Sequence, residues 1–255
     1  MTTGQSTPAR QSTPTFAHVG PLVTFLLCLT IPDLMSVFGF DRSDAIQPWY
    51  VTTPEQWVFP LQTLLTLGVV VYCWRRYDFR PFTGLALATL VGTLGIVIWI
   101  APGFLFGFFE MNNSVLKYLG FVRRTDGFDP HFIAAQNPSL YYAAVAMRFV
   151  RLVVVVPLAE EVFWRGFLMR YLTDLDGDFW KVPFGTHHWR SFVIVTAMFT
   201  LAHASVDYAA AIVFGSLMYW LAVRTKSLSA CVLAHAVANL ILGVYVMLSQ
   251  QWGYW

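Results

Sequence analysis

The sequence predicts an all-α fold, a polytopic membrane bundle of seven to eight transmembrane helices. Apolar residues make up 57% of the 255 residues and charged residues only 12%, whereas a soluble domain carries about 25% charged residues. The mean hydropathy is +0.58. Aromatic residues reach 17%, with ten Trp, which suits a protein that is anchored at two membrane interfaces.

The apolar segments are close to the length of about 20 residues that one span requires. They lie at 21–40, 57–74, 82–109, 140–172, 191–204, 208–223 and 228–248. The fourth is too long for one simple span, and Pro157 inside it predicts a kink or the start of a second helix. Residues 1–20 are interpreted as a disordered polar tail, and residues 21–255 as a single transmembrane domain.

Composition also excludes several classes of partner and site. The net charge is +2 and the sequence contains no basic stripe, so we expect no nucleic acid partner. The three cysteines are widely spaced, which favours neither a disulfide framework nor a thiolate metal site. The expected partners are the lipid bilayer and a peptide or protein substrate within it.

A cluster of charges interrupts the fourth apolar segment. An ionised side chain at mid-bilayer costs roughly 2.5 to 3.5 kcal/mol, so Glu160, Glu161 and Arg165 require a reason to be there. Glu161 and Arg165 are four residues apart and are expected to pair on one helix face. Glu160 points about 100° away, which makes it a candidate general base. The alternative is an ion-paired cluster at a helix end near the interface.

Three polar residues recur in later apolar segments. His203 ends the fifth segment, and His235 and Asn239 are four apart on the last one, so these two project from one face. Each could be a packing residue. Together with Glu160, however, they would form one polar cavity if the helices converge, because small residues nearby allow close packing.

Such a cavity admits two chemistries. In the first, Glu160 and His203 deprotonate a water that attacks a peptide carbonyl, while His235 and Asn239 donate hydrogen bonds to the oxyanion. In the second, Glu160, His203 and His235 hold a zinc ion with an open position for water. The HExxH motif of common zinc proteases is absent, and spacing alone does not decide between the two.

Three motifs in 140–248 resemble those of the CPBP family, which covers CAAX-prenyl-processing type II endopeptidases and bacteriocin-immunity-type membrane proteins. They are Glu160-Glu161-x-x-x-Arg165, Phe199-x-x-x-His203 and His235-x-x-x-Asn239. The resemblance implies an active site within the membrane, in which the first Glu and first His activate water and the second His and the Asn bind the oxyanion. It gives supporting roles to Glu161, Arg165 and Phe199, and it leaves open whether a metal is used.

A further likeness is to bacterial CAAX-protease-related proteins found with exosortase sorting systems. It rests on Arg75-Arg76-Tyr77, on the run 163–170, and on the ending from Leu242 to Trp252. This likeness implies a bacterial inner membrane, a role in protein sorting or export, and an exosortase-system partner. Two other hypotheses remain. One is a non-catalytic scaffold or immunity protein of the same family. The other is a proton-coupled transporter, against which the lack of internal repeats argues.

Four other features have readings that a structure tests. Asp207 either orients His203 or caps a helix. Arg148 and Arg151 either face the cavity, where they would bind a substrate carboxylate, or reach the headgroups by snorkelling, which we favour. The closing run at 250–255 is interpreted as an interfacial aromatic anchor.

Overall fold

The computed structural model describes residues 13–40, 48–109, 114–131 and 137–255, and within these ranges it contains helices and no strand. Six helical segments are long and apolar enough to cross a membrane: Pro14–Val37, Glu55–Arg76, Leu85–Gly107, Pro138–Tyr171, Ser205–Thr225 and Leu228–Ser249. A shorter apolar helix covers Trp189–Leu201. The prediction of an all-helical, multi-pass membrane bundle is confirmed.

We number the helices in chain order: α1 (Pro14–Leu29), α2 (Ile31–Val37), α3 (Trp49–Thr52), α4 (Glu55–Cys73), α5 (Leu85–Phe109), α6 (Ser114–Tyr118), α7 (Pro138–Tyr171), α8 (Trp189–Leu201), α9 (Tyr208–Thr225) and α10 (Leu228–Ser249). Short 3₁₀ turns lie between some of them or follow the last.

The first helix begins earlier than the sequence predicted. Thr13 caps α1 by accepting a hydrogen bond from the amide of Phe16 at 3.2 Å, as a hydroxyl at this position commonly does. Residues 14–20, predicted as part of the disordered tail, are therefore helical, and Ala17 and His18 are buried. The rest of the predicted tail, residues 1–12, lies outside the described residues.

Helix α7 is one continuous element, so Pro157 does not start a second helix. It contains two π turns, at Arg151–Val155 and Val162–Leu168. At the first, the amide of Val156 donates to the carbonyl of Arg151, five residues back. In the same register the next donor would be the amide of residue 157, which proline lacks. The carbonyl of Leu152 is thus left available to another donor.

Small residues bring the core helices together. A Cβ at Gly92 of α5 would lie 2.2 Å from the carbonyl oxygen of Ala234 on α10, so only glycine permits this approach. A Cβ at Gly243 of α10 would lie 2.8 Å from the ring of Phe149 on α7. These contacts hold α10 between α5 and α7, and they place its polar face against the Glu pair.

Candidate active site

The four residues predicted to be catalytic line one cavity of about 280 Å³. Glu160 comes from α7, and His235 and Asn239 come from α10. His203 lies in the turn that follows α8, which ends at Leu201 and so is shorter than the predicted segment. The helices therefore converge as predicted, and the four side chains line the same cavity.

Glu161 is the centre of a buried ionic cluster behind this cavity. Its Oε1 accepts a hydrogen bond from Arg165 Nη1 at 3.0 Å, and both side chains are 0% exposed. The predicted pairing of Glu161 with Arg165 is confirmed. The same oxygen lies 2.8 Å from Nδ1 of His235. A buried carboxylate of α7 thus fixes the ring of His235 on α10.

Glu160 has a different environment from its neighbour. It is half-buried and lines the cavity, and its Oε2 accepts a hydrogen bond from Trp164 Nε1 at 3.3 Å. No cation pairs with it among the residues that the structure describes. Glu160 is therefore the carboxylate that the cavity exposes to a water or a substrate, whereas Glu161 is engaged in structure.

The ring of His203 is oriented by the backbone and by aromatic neighbours. Its Nδ1 lies 2.7 Å from the carbonyl of Phe199. A carbonyl only accepts, so Nδ1 carries the hydrogen and Nε2 of the neutral ring is an acceptor. The ring of Phe199 lies 4.6 Å from that of His203, and the ring of Trp99 lies 5.2 Å away.

Asn239 is held by the backbone of α7. Its Nδ2 donates to the carbonyl of Leu152 at 2.8 Å, the carbonyl that Pro157 leaves without an intrahelical donor. A carboxamide nitrogen has two hydrogens, so one remains for a ligand in the cavity. The supporting residue Phe199 is 1% exposed, and its ring packs 5.4 Å from the guanidinium carbon of Arg165.

Asp207 takes neither of the predicted roles. It forms no side-chain cap at the start of α9, and its partners are Arg124 at 2.7 Å and Trp99 Nε1 at 2.8 Å rather than His203. Its effect on the histidine is indirect, because it orients the indole of Trp99 that packs on the ring of His203. Trp99, Arg124 and Asp207 all line the cavity.

Sequence reasoning missed the residues that close the cavity on another side. Trp252 and Tyr254, in the run interpreted as an interfacial anchor, are buried, and Tyr254 and Trp255 line the cavity. Arg124 lies 4.1 Å from the Tyr254 ring centroid. Burial raises the pKa of Tyr254 to about 12, so its phenol stays neutral. The pattern of Trp and Tyr in this run does not indicate whether it forms a cavity wall or an interfacial anchor.

The preference for snorkelling was wrong for Arg148 and Arg151. Arg148 is 4% exposed and Arg151 is 9% exposed. The guanidinium carbon of Arg148 packs on the rings of Phe59 and Trp255. Arg151 lines the same cavity as Glu160. Both side chains turn inward, where aromatic rings from other parts of the chain pack on them and Arg151 also meets the amide of Gln62.

The described residues do not assemble a ligand set for the alternative in which zinc is bound. In the part of the chain that the structure describes, no three His, Cys, Asp or Glu side chains are grouped so as to hold a metal ion. The candidate ligands Glu160, His203 and His235 line the cavity without forming such a group.

Residues 142–241 match the model of a family described as Rce1-like, type II CAAX prenyl endopeptidase Rce1-like. The matched range contains all three motifs and every residue predicted for the site. No curated protein and no solved structure matches the chain. The family match supports the CPBP resemblance and an intramembrane protease of that type.

Proposed function

We propose that this protein is an endopeptidase that hydrolyses a peptide bond in a membrane-proximal or lipid-linked substrate. The observation that carries the proposal is the single cavity lined by Glu160, His203, His235 and Asn239. In the part of the chain that the structure describes, it combines a carboxylate without a paired cation, an imidazole with a free acceptor nitrogen, and two groups able to donate hydrogen bonds. Hydrolysis of an amide needs these groups: a base for water and donors for the oxyanion.

Water activation is assigned to Glu160 and His203. The unpaired carboxylate of Glu160 takes a proton from water, and Nε2 of His203 accepts the second hydrogen of the same water and so orients it. The carbonyl of Phe199 keeps His203 in the tautomer that this step requires. The proton held by Glu160 is then available to the leaving amine, in the way a general base becomes a general acid.

The oxyanion is assigned to His235 and Asn239. Asn239 donates through the hydrogen that Leu152 does not use. The carboxylate of Glu161, 2.8 Å from Nδ1 of His235, fixes the ring, and Nε2 donates when both ring nitrogens carry hydrogens. The supporting pair Glu161–Arg165 thus acts on the reaction through His235.

We place the enzyme in the bacterial inner membrane with a role in protein sorting or export, beside an exosortase-system partner. The support is the likeness of the runs at 75–77, 163–170 and 242–252 to exosortase-associated proteins. Comparative proteomics of membrane and secreted fractions, with and without this protein, tests the setting and names the substrate. Fragments that depend on the protein should come from membrane-associated or exported precursors.

Replacing His203 with Ala is expected to lower cleavage by about 10²- to 10⁴-fold, because general base catalysis contributes that range and Glu160 needs the water that His203 orients. The rate is measured on the substrate that proteomics identifies, with purified protein matched for amount. His187→Ala, in a loop away from the cavity, is the control and should keep normal activity. Normal processing by the His203 variant would contradict the proposal.

Treatment with a chelator distinguishes direct water activation from zinc catalysis. Because the described residues assemble no metal-binding group, we expect cleavage to be unchanged by EDTA or 1,10-phenanthroline, and purified protein to contain less than one zinc per chain. The Nδ1 hydrogen bonds of these histidines are of the kind that metal ligands also make. Hydrogen bonding therefore does not separate the two routes, and the chelator experiment does. Loss of activity that zinc restores would establish the metal route.

A further inference from the structure

Three connections between helices meet at one end of the bundle, which we call the first face. They are residues 74–84, 172–188 and 226–227. The hydroxyl of Thr83 donates to the carbonyl of Thr225 at 3.1 Å, and Lys226 Nζ donates to the carbonyl of Gly185. These hydrogen bonds join the three connections, so one side of the membrane contains all of them.

The opposite end of the bundle, which we call the second face, includes the segments 114–131 and 250–255. The amide of Gly253 donates to the carbonyl of Arg124 at 2.9 Å. Trp255 Nε1 donates to the carbonyl of Phe128, also at 2.9 Å. These two segments therefore pack on each other at the end of the bundle that is reached by the last turns of α5 and α10.

Lys and Arg residues are concentrated at the first face. Its connections and the helix turns that flank them contain eight: Arg75, Arg76, Arg80, Arg170, Lys181, Arg190, Arg224 and Lys226. The links at the second face, residues 38–54 and 108–137, contain four: Arg42, Lys117, Arg123 and Arg124. Basic residues in short loops mark the cytoplasmic side of a membrane protein. The first face is therefore cytoplasmic.

The active-site cavity extends from the catalytic residues toward the second face. Helix α10 starts at the first face, and its lining residues lie progressively farther from that face: His235, Ala238, Asn239 and Leu242. Helix α7 ends at the first face, and its lining residues recede from that face in reverse order: Glu160, Val156 and Leu152. At the far end, Arg124 and Tyr254 of the second face complete the wall.

Packed side chains separate the cavity from the first face. Arg165 and Met169 of α7 and Met218 and Leu221 of α9 are all 0% exposed. Among the residues that the structure describes, none from the three connections of the first face lines the cavity. The catalytic His235 lies only about 10 Å along α10 from its start at the first face, yet the intervening space is filled. The short route to the site is therefore closed.

We infer that substrates enter the active-site cavity from the non-cytoplasmic side of the membrane. The inference rests on the proposed function, because it concerns the substrate of the same cavity. The bond to be cleaved then lies in a segment that has been moved across the membrane, so the class of reaction that supplies the substrate is protein translocation. A peptide confined to the cytoplasm would meet the filled first face.

Thiol labelling tests this route without requiring cleavage. The parent is full-length protein in which Cys28, Cys73 and Cys231 are replaced with Ala. Single cysteines are then introduced at two cavity positions, as Ala238→Cys and Leu242→Cys. The probe is a membrane-impermeant methanethiosulfonate that carries a sulfonate. It is added to spheroplasts, which expose the non-cytoplasmic side, or to inverted vesicles, and the mass of the purified protein reports labelling.

Three further single cysteines serve as controls for sidedness and burial. Asp126→Cys, at an exposed position of the second face, should be labelled only in spheroplasts. Asp176→Cys, at an exposed position of the first face, should be labelled only in inverted vesicles. Met218→Cys, in the packed layer, should be labelled in neither.

We expect Ala238→Cys and Leu242→Cys to be labelled in spheroplasts and to lose this labelling in inverted vesicles. Labelling of the cavity positions from the cytoplasmic side alone, from both sides equally or from neither side would overturn the inference. Labelling of Asp126→Cys from the cytoplasmic side would also overturn it, because the protein would then have the opposite orientation.

A pair of reporters separates this inference from the proposed function. The segment that proteomics identifies as cleaved is fused to a single-span membrane protein, at either its cytoplasmic or its non-cytoplasmic end. Active protein should cleave the non-cytoplasmic form and leave the cytoplasmic form intact, as seen by gel mobility. Equal cleavage of both forms would contradict the route. Labelling from the non-cytoplasmic side together with no cleavage of either reporter would sink the peptidase and leave the route standing.

Discussion

Replacing Glu160 with Gln is expected to lower the rate of peptide cleavage by about 10²- to 10⁴-fold, with normal amounts of protein in the membrane. The amide keeps the size of the side chain and cannot take a proton from water. Glu160 is half-buried and has no paired cation among the described residues, so its loss leaves no buried charge there unbalanced. The single-turnover rate on the identified substrate measures the effect.

The matched control for this variant is Asp176→Asn, which makes the same chemical change on an exposed loop. Its rate should equal that of the unchanged protein. Because Glu160 and His203 are proposed to act on one water, the double variant Glu160→Gln/His203→Ala should be little slower than either single variant. Normal cleavage by Glu160→Gln protein would end the peptidase hypothesis for this cavity.

Replacing Arg165 with Met is expected to destabilise the protein by about 3 to 5 kcal/mol, the usual result of removing one partner from a buried ion pair. Met fills most of the volume, but among the described residues it leaves the fully buried carboxylate of Glu161 with His235 as its one polar partner. Thermal or SDS-induced unfolding in detergent, followed by circular dichroism, measures the loss. Arg224→Met, on an exposed position of α9, should leave the unfolding transition unchanged.

A second substitution tests the cause of this destabilisation. If the cost arises from the unpaired carboxylate, Glu161→Gln combined with Arg165→Met should recover part of the stability, because neither charge then remains buried alone. If the double variant is instead less stable than Arg165→Met by the full cost of Glu161→Gln measured alone, the two side chains contribute to stability independently.

The parts of the site that follow from local geometry were predictable from the sequence. A spacing of four residues on a helix is enough to place Glu161 against Arg165, and His235 and Asn239 on one face. It also separates Glu160 from Glu161. The convergence of the three segments was a hypothesis that the small residues nearby supported, and the shared cavity agrees with it.

The contacts that span long stretches of chain could not be predicted. Arg151 and Gln62 are 89 residues apart, and Trp99 and Asp207 are 108 apart. A hydropathy pattern carries no information about which helices pack together. An arginine in an apolar segment is therefore assigned to the interface by default. The position of Tyr254 in the cavity wall could not be predicted for the same reason, since an aromatic run has the same sequence pattern at a membrane surface and in a core.

The missing amide of Pro157 has a consequence that reaches from one helix to the other. Because the π turn shifts the register by one residue, this gap falls on Leu152 and supplies the acceptor for Asn239. The irregular backbone of α7 thereby aligns the carboxamide of Asn239 on α10. Any adaptation that made α7 regular would loosen the alignment of that group, so an imperfect helix here is a condition of an accurate site.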